Sequence, residues 1–246
     1  AASTSLGYKG TILVAVAIST ITLLAISFWL KESLPLEERR ERKKHNIWHS
    51  LFIPGRIKAA NPRPIIKLLF TTKLFFTMMM AFYIGTIALY LIDLFHFKEH
   101  ELGVFFFVVG VFLAFNQAFL SKRFIKRFGE FKTLLIGLSL CVIGLFAITT
   151  TNNLYLFIAF YYAMNLGLSL CFPTFNALIS VHADPQKRGE IMGISESINS
   201  FSMAVFPVIA AALYGLIDKN LYYLMVTLPL TALLISLLSQ RKLGKV

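Results

Sequence analysis

The sequence predicts an all-α integral membrane protein with seven transmembrane helices, its N-terminus outside and its C-terminus inside. Three observations carry this expectation. Of 246 residues, 57% are hydrophobic and 15% charged, against about 25% charged in ordinary globular proteins. Twenty-four phenylalanines raise the aromatic share to 14%, and mean hydropathy is +0.71. Apolar stretches recur at the length a bilayer needs, roughly 20 residues per helix for a core about 30 Å thick. The basic residues, finally, gather in alternate loops. Disorder, collagen-like repeats and a disulfide scaffold are excluded, since Cys141 and Cys171 lie inside apolar runs and act there as small hydrophobes.

The seven stretches run approximately 11–30, 74–94, 102–120, 133–151, 154–180, 191–217 and 222–239. Each reads as a helix, because a β-barrel needs alternating segments of about ten residues and runs such as Val104–Phe115 do not alternate. Helices also satisfy their own backbone hydrogen bonds in lipid. No basic segment precedes the first stretch, so it is not read as a signal peptide. The sequence does not start with Met, and the chain is expected to begin inside a longer protein. The second stretch holds Met78–Met80 and ends on Asp93. Phe105–Phe107 lie in the third, with Asn116 and Gln117 near its end. Phe157–Tyr162, Asn165, Gly167, Pro173 and Asn176 belong to the fifth, Glu196, Asn199 and Pro207 to the sixth, and Pro229 to the seventh.

Splitting Lys and Arg by loop places 21 of the 24 on one side. They fall in 31–73 (Lys67 and Lys73 the last of them), in 121–132, at Lys187 and Arg188, and in the tail after residue 240. Lys9, Lys98 and Lys219 alone fall opposite. The positive-inside rule puts the larger set in the cytoplasm. The net charge of +12 is therefore a topology signal, and no nucleic-acid partner is expected. Arg39–Lys44, mixed with Glu37, Glu38 and Glu41, reads as a solvated amphipathic linker, with anionic headgroups as the other reading.

One helix, a long charged loop and six tightly connected helices form an informative asymmetry. Trp29-Leu30-Lys31-Glu32-Ser33-Leu34-Pro35 resembles the exit of the sixth helix of a major facilitator superfamily transporter. Arg127-Phe128-Gly129-Glu130 falls where tetracycline-efflux-like drug:proton antiporters carry a short Arg-x-Gly turn. Phe172–Ser180 is similar to the end of their tenth helix, and Gly189–Gly193 followed by Pro207 to the start and middle of their eleventh. In the fuller loop motif a Gly is followed four residues later by an acid. Here Lys122 and Lys126 take those two positions, which puts the acid-based gating contact in doubt. The resemblance implies that 1–30 is the last helix of an N-terminal half and 31–67 a cytoplasmic basic linker. It further implies that 68–240 is the C-terminal six-helix bundle of a major facilitator fold and 241–246 a cytoplasmic tail. The missing N-terminal half and a bacterial cytoplasmic (inner) membrane follow from the same resemblance.

Glu196 is the most informative residue. A charge at its depth costs from about 2.5 to over 10 kcal/mol, so it faces a cavity, finds a partner or takes a proton. It is the candidate for proton coupling, against a purely structural interhelical bond. Gly189, Gly193, Glu196, Ser197 and Ser200 recur at helical spacing, so close helix packing competes. Asn116, Gln117, Asn165, Asn176 and Asn199 are candidates for the substrate path, with interhelical bonding as the alternative for each. Asp93, Arg127 and Gly129 are candidate gate residues. Gly167, Pro173 and Pro207 are candidate packing or kink positions, since proline removes a helix hydrogen bond. Asp93, His96 and His100 offer a weak metal-ligand spacing, and no metal is expected. The aromatic and Met clusters wall a drug cavity or simply pack.

No phosphate-cradling glycine loop, nucleophile elbow or zinc spacing appears, so neither an enzyme nor a cofactor is expected. The expected function is secondary active transport, as proton-coupled export of small organic molecules or drugs by alternating access. A nutrient uptake symporter is the alternative within transport. A seven-helix receptor or an inactive membrane scaffold is the alternative from another class, although 222–239 lacks the Lys that retinal needs.

Overall fold

A backbone in lipid must satisfy its own hydrogen bonds, and a helix does so segment by segment. The computed structural model describes residues 2–29 and 53–243, and among the described residues every regular element is helical. In chain order these are α1 (Ala2–Trp29), α2 (Ile53–Ala60), α3 (Pro64–Phe95), α4 (Glu99–Phe115), α5 (Ser121–Phe128), α6 (Glu130–Thr150), α7 (Leu154–His182), α8 (Arg188–Ile217) and α9 (Leu221–Leu243). A π-helical turn, Asn116–Leu120, joins α4 to α5. Among the described residues, six apolar helical stretches are long enough to cross a membrane. The last, Pro185–Leu238, has 54 residues, more than twice what one crossing takes. It is divided at Asp218, where φ 49 and ψ −140 end α8. Most of the linker, including Arg39–Lys44, lies outside the described residues, as does the tail from 244.

Local chemistry sets the helix ends. Pro64 stands at the first turn of α3, where its missing N–H costs nothing. The helix therefore starts ten residues before the expected 74. The Asn153 side chain caps α7 by accepting from the N–H of Tyr155 and Leu156 at 2.9 and 3.3 Å. Glu101 accepts from the Lys98 N–H at 2.7 Å and closes the first turn of α4. Gly129 separates α5 from α6 at φ 77 and ψ 165, a conformation essentially reserved for glycine. Gly129→Ala should therefore lose about 1–3 kcal/mol, read as a lower unfolding midpoint in detergent. An unchanged midpoint would mean that the turn relaxes freely.

α3 is the central element, packed against α8, α9 and α7, while α6 packs on α7 and α9. α1 stands apart, with none of Ile12–Trp29 buried. Close backbone approaches at glycines set the helix spacing. A Cβ on Gly167 would lie 2.5 Å from the Gly137 carbonyl oxygen, and one on Gly85 would lie 2.8 Å from that of Pro207. Small residues let backbones approach in this way in membranes. Gly167 and Pro173, the candidate packing or kink positions of the fifth span, lie inside α7, which runs unbroken from Leu154 to His182. Pro173 has no N–H for the carbonyl of Ser169, and that oxygen accepts instead from Ser121 Oγ at 2.9 Å. The helix-breaking residue thus becomes a tie between α7 and α5.

Each of the aromatic and Met clusters sends at least one residue into the core. Phe105, Phe157, Tyr161 and Met79 are buried, whereas Phe107 is exposed. Tyr83 on α3 donates to Tyr161 on α7, and Thr86 donates to Tyr222 on α9 at 3.3 Å. Buried hydroxyls are thereby paired across the three helices, as a dry interior requires.

Candidate functional site

The polar seam between α3 and α8 is built around a lysine. Lys73 projects from the third turn of α3, and its side chain is 2% exposed. An ammonium taken out of water is costly unless it is paired and hydrogen-bonded. Lys73 Nζ has three donors and three acceptors: Ser195 Oγ at 2.7 Å, Glu196 Oε1 at 3.1 Å and Asn176 Oδ1 at 3.4 Å. α8 provides the first two and α7 the third, so the lysine ties three helices. Glu196 is the exposed member, at 54%. Its second oxygen accepts from Asn199 Nδ2 at 3.5 Å.

A second cation reaches α8 from the linker side. Arg56 on α2 donates to Ser197 Oγ at 2.9 Å. A Cβ on Gly193 would lie 3.5 Å from the same guanidinium, so this glycine leaves room for a side chain. Nothing approaches within 4 Å of a Cβ on Gly189. The expected packing stripe of Gly189 and Gly193 therefore makes no close helix contact among the described residues. Below Lys73, Thr77 and Ser202 share a hydrogen bond of 2.9 Å and extend the seam. An apolar crevice of about 550 Å³ lies between α2, α3 and α8, lined by Ile57, Phe70, Leu74, Ile198 and Phe201 among others. Neither Lys73 nor Glu196 lines it.

Of the residues expected to matter, the structure brings Glu196, Asn199 and Asn176 together and leaves the others apart. Asn165 is fully buried and donates to the Tyr161 carbonyl at 2.9 Å and to Tyr83 Oη at 3.5 Å, a helix tie. Asn116 is buried at the start of the π-helical turn, and its Nδ2 has no partner among the described residues. Gln117 beside it is exposed. Asp93 accepts from Tyr214 Oη at 2.9 Å, joining α3 to α8 beside a small cleft that Asp218 and Lys219 also line. Arg127 is exposed and lies over the Phe128 ring, 5.5 Å from its centroid. Among the described residues no cluster of His, Cys, Asp or Glu could hold a metal ion.

Lys73 was counted with the cytoplasmic loop charges, and the structure corrects this. The sequence carried the signal: Pro64 opens a helix, and the apolar residues Ile65, Ile66, Leu68, Leu69 and Phe70 precede the lysine. A charge so placed is inside an apolar helix and needs a partner. Splitting the loops by apolar run alone hid it.

The geometry defines a bundle of membrane-length apolar helices in which a buried lysine pairs with an exposed carboxylate. A family model of the Major Facilitator Superfamily matches residues 1–207 and 75–243. The chain belongs to the major facilitator superfamily, whose members are transporters and not enzymes. Among solved structures, the human organic anion transporter MFSD10 (TETRAN) is similar, with a TM-score of 0.78 and 19% identity. The match covers 90% of this chain and 55% of that one, so the chain spans about half the length of that transporter. At this identity the likeness concerns the fold. No curated protein has a significantly similar sequence.

Proposed function

We propose that the chain is the C-terminal part of a proton-coupled secondary transporter of small organic molecules, in which Lys73 and Glu196 form the coupling pair. The observation that carries this reading is a fully buried ammonium paired with a half-exposed carboxylate. Protonation of Glu196 removes the counter-charge of Lys73 across the α3–α8 seam, and an alternating-access protein responds to such a change by shifting between its two states. In this reading α3 to α9 supply six crossings and α1 a seventh, oriented N-out and C-in by the positive-inside rule. An N-terminal half completes the cavity. Resemblance to tetracycline-efflux-like antiporters supports drug export, in a bacterial cytoplasmic (inner) membrane. Uptake by symport is the second reading, favoured because the partner of Glu196 is itself a buried cation.

The test is transport by the full-length protein under an imposed proton gradient. Glu196→Gln should abolish gradient-driven accumulation while expression and membrane insertion hold. Unchanged proton-driven transport in that variant removes Glu196 from the mechanism.

A further inference from the structure

We propose that Lys73 is the docking point for a carboxylate on the transported molecule, exposed to it when Glu196 takes up a proton. This rests on the proton-coupled reading above and names its substrate class. The argument is one of charge. Lys73–Glu196 is the one ion pair among the described residues. α3 supplies Lys73 to this site, α2 supplies Arg56 through Ser197, and α7 supplies neutral Asn176. The other acid on α8, Glu190, is exposed and nearly two turns away. When Glu196 is neutral, the buried ammonium keeps only neutral acceptors: Ser195, Asn176 and the carbonyl oxygen of Glu196 itself. A buried charge without a counter-charge is the costly state, so a second anion is held in place of the first.

The way in and the receiving groups are also present. Of the three partners of Lys73 only Glu196 is exposed, so its carboxylate stands between the ammonium and open space. Lys73 Nζ and Asn199 Nδ2 hold its two oxygens, and the same two donors match the two oxygens of an incoming carboxylate. Asn199 Oδ1 is a buried acceptor with no donor among the described residues. The O–H of neutral Glu196, three residues back on the same face, supplies one. The step balances: a proton from water binds a Glu196 oxygen, Lys73 keeps its three protons, and its ion pair passes to the substrate. Proton and monocarboxylate then move together with no net charge, which favours symport over antiport.

The experiment uses purified full-length protein and a probe panel of acetate, lactate, benzoate and hippurate, each beside its amide and a matched amine. At acid pH at least one carboxylate should raise the unfolding midpoint, less so at neutral pH, and the amides and amines should not. Glu196→Gln should bind that carboxylate on the order of tenfold more tightly, with the pH dependence gone. Lys73→Arg should retain binding. Lys73→Gln and the double variant Lys73→Gln/Glu196→Gln, which leaves no unpaired charge, should lose it. A carboxylate effect that survives in the double variant overturns the proposal, as does stabilisation by the amines or by no member of the panel. Proton uptake with the same probe in vesicles, corrected against protein-free ones, separates the two readings. Carboxylate movement that depends on Lys73 without proton uptake would sink the proton-coupled reading and leave the docking point standing.

Discussion

Glu196→Gln should destabilise the bundle by about 3 kcal/mol, while Lys73→Gln should cost about 1 kcal/mol or less. The two halves of the pair are unequal because their surroundings are. Removing the carboxylate leaves an ammonium that is 2% exposed without a counter-charge, and an orphaned buried charge carries its full desolvation cost. Removing the ammonium leaves a carboxylate that is 54% exposed, which water and Asn199 can still solvate. Glutamine at either position keeps some hydrogen bonding, so the contrast reports charge more than shape. The double variant should lie well above Glu196→Gln, since no charge is then stranded. Unfolding midpoints of the four proteins in one detergent read this directly. Equal losses in the two single variants would mean that the pair acts as a surface ion pair, worth little.

Gly167→Val should be worse still and should leave little folded protein. An added Cβ would lie 2.5 Å from the Gly137 oxygen and 3.0 Å from the Cys141 nitrogen. Both are backbone atoms of α6, so no side chain can rotate away. Overpacking typically costs about 1–3 kcal/mol, and a clash with the neighbouring backbone belongs at or above that range. α6 and α7 must separate along their length, which also strains the α9 contacts of α6. Gly110→Ala is the matched control, because nothing lies within 4 Å of a Cβ there. It should be neutral or slightly stabilising, as alanine is the better helix former. Membrane-inserted yield and the unfolding midpoint separate the two variants. A Gly167→Val protein as stable as the parent would contradict the close α6–α7 approach.

The fold class was legible because hydropathy and loop charge are collective signals, each summed over many residues. The helices near 74–94, 133–151 and 154–180 match α3, α6 and α7 within a turn at most ends, though α3 opens a good deal earlier. Glu196 was legible for the same reason that it is informative: a lone acid in an apolar helix must have a partner or a proton. Its partner was not legible, because Lys73 sits where an apolar run meets a basic loop and was counted with the loop. Asn199 and Asn176 could be named as polar residues at depth, but only the packing of α3, α7 and α8 places them on one ammonium. Gly189 and Gly193 show the converse. Their spacing is right for a packing stripe, yet the close approaches fall at Gly85 and Gly167, which face a neighbouring backbone. Spacing tells which residues share a face, and the fold alone tells what that face meets.

The most direct test of the account is infrared difference spectroscopy on the purified protein between neutral and acid pH. Protonation of Glu196 should give a carboxylic C=O band that Glu196→Gln lacks. A band that persists unchanged in Glu196→Gln would contradict the coupling pair.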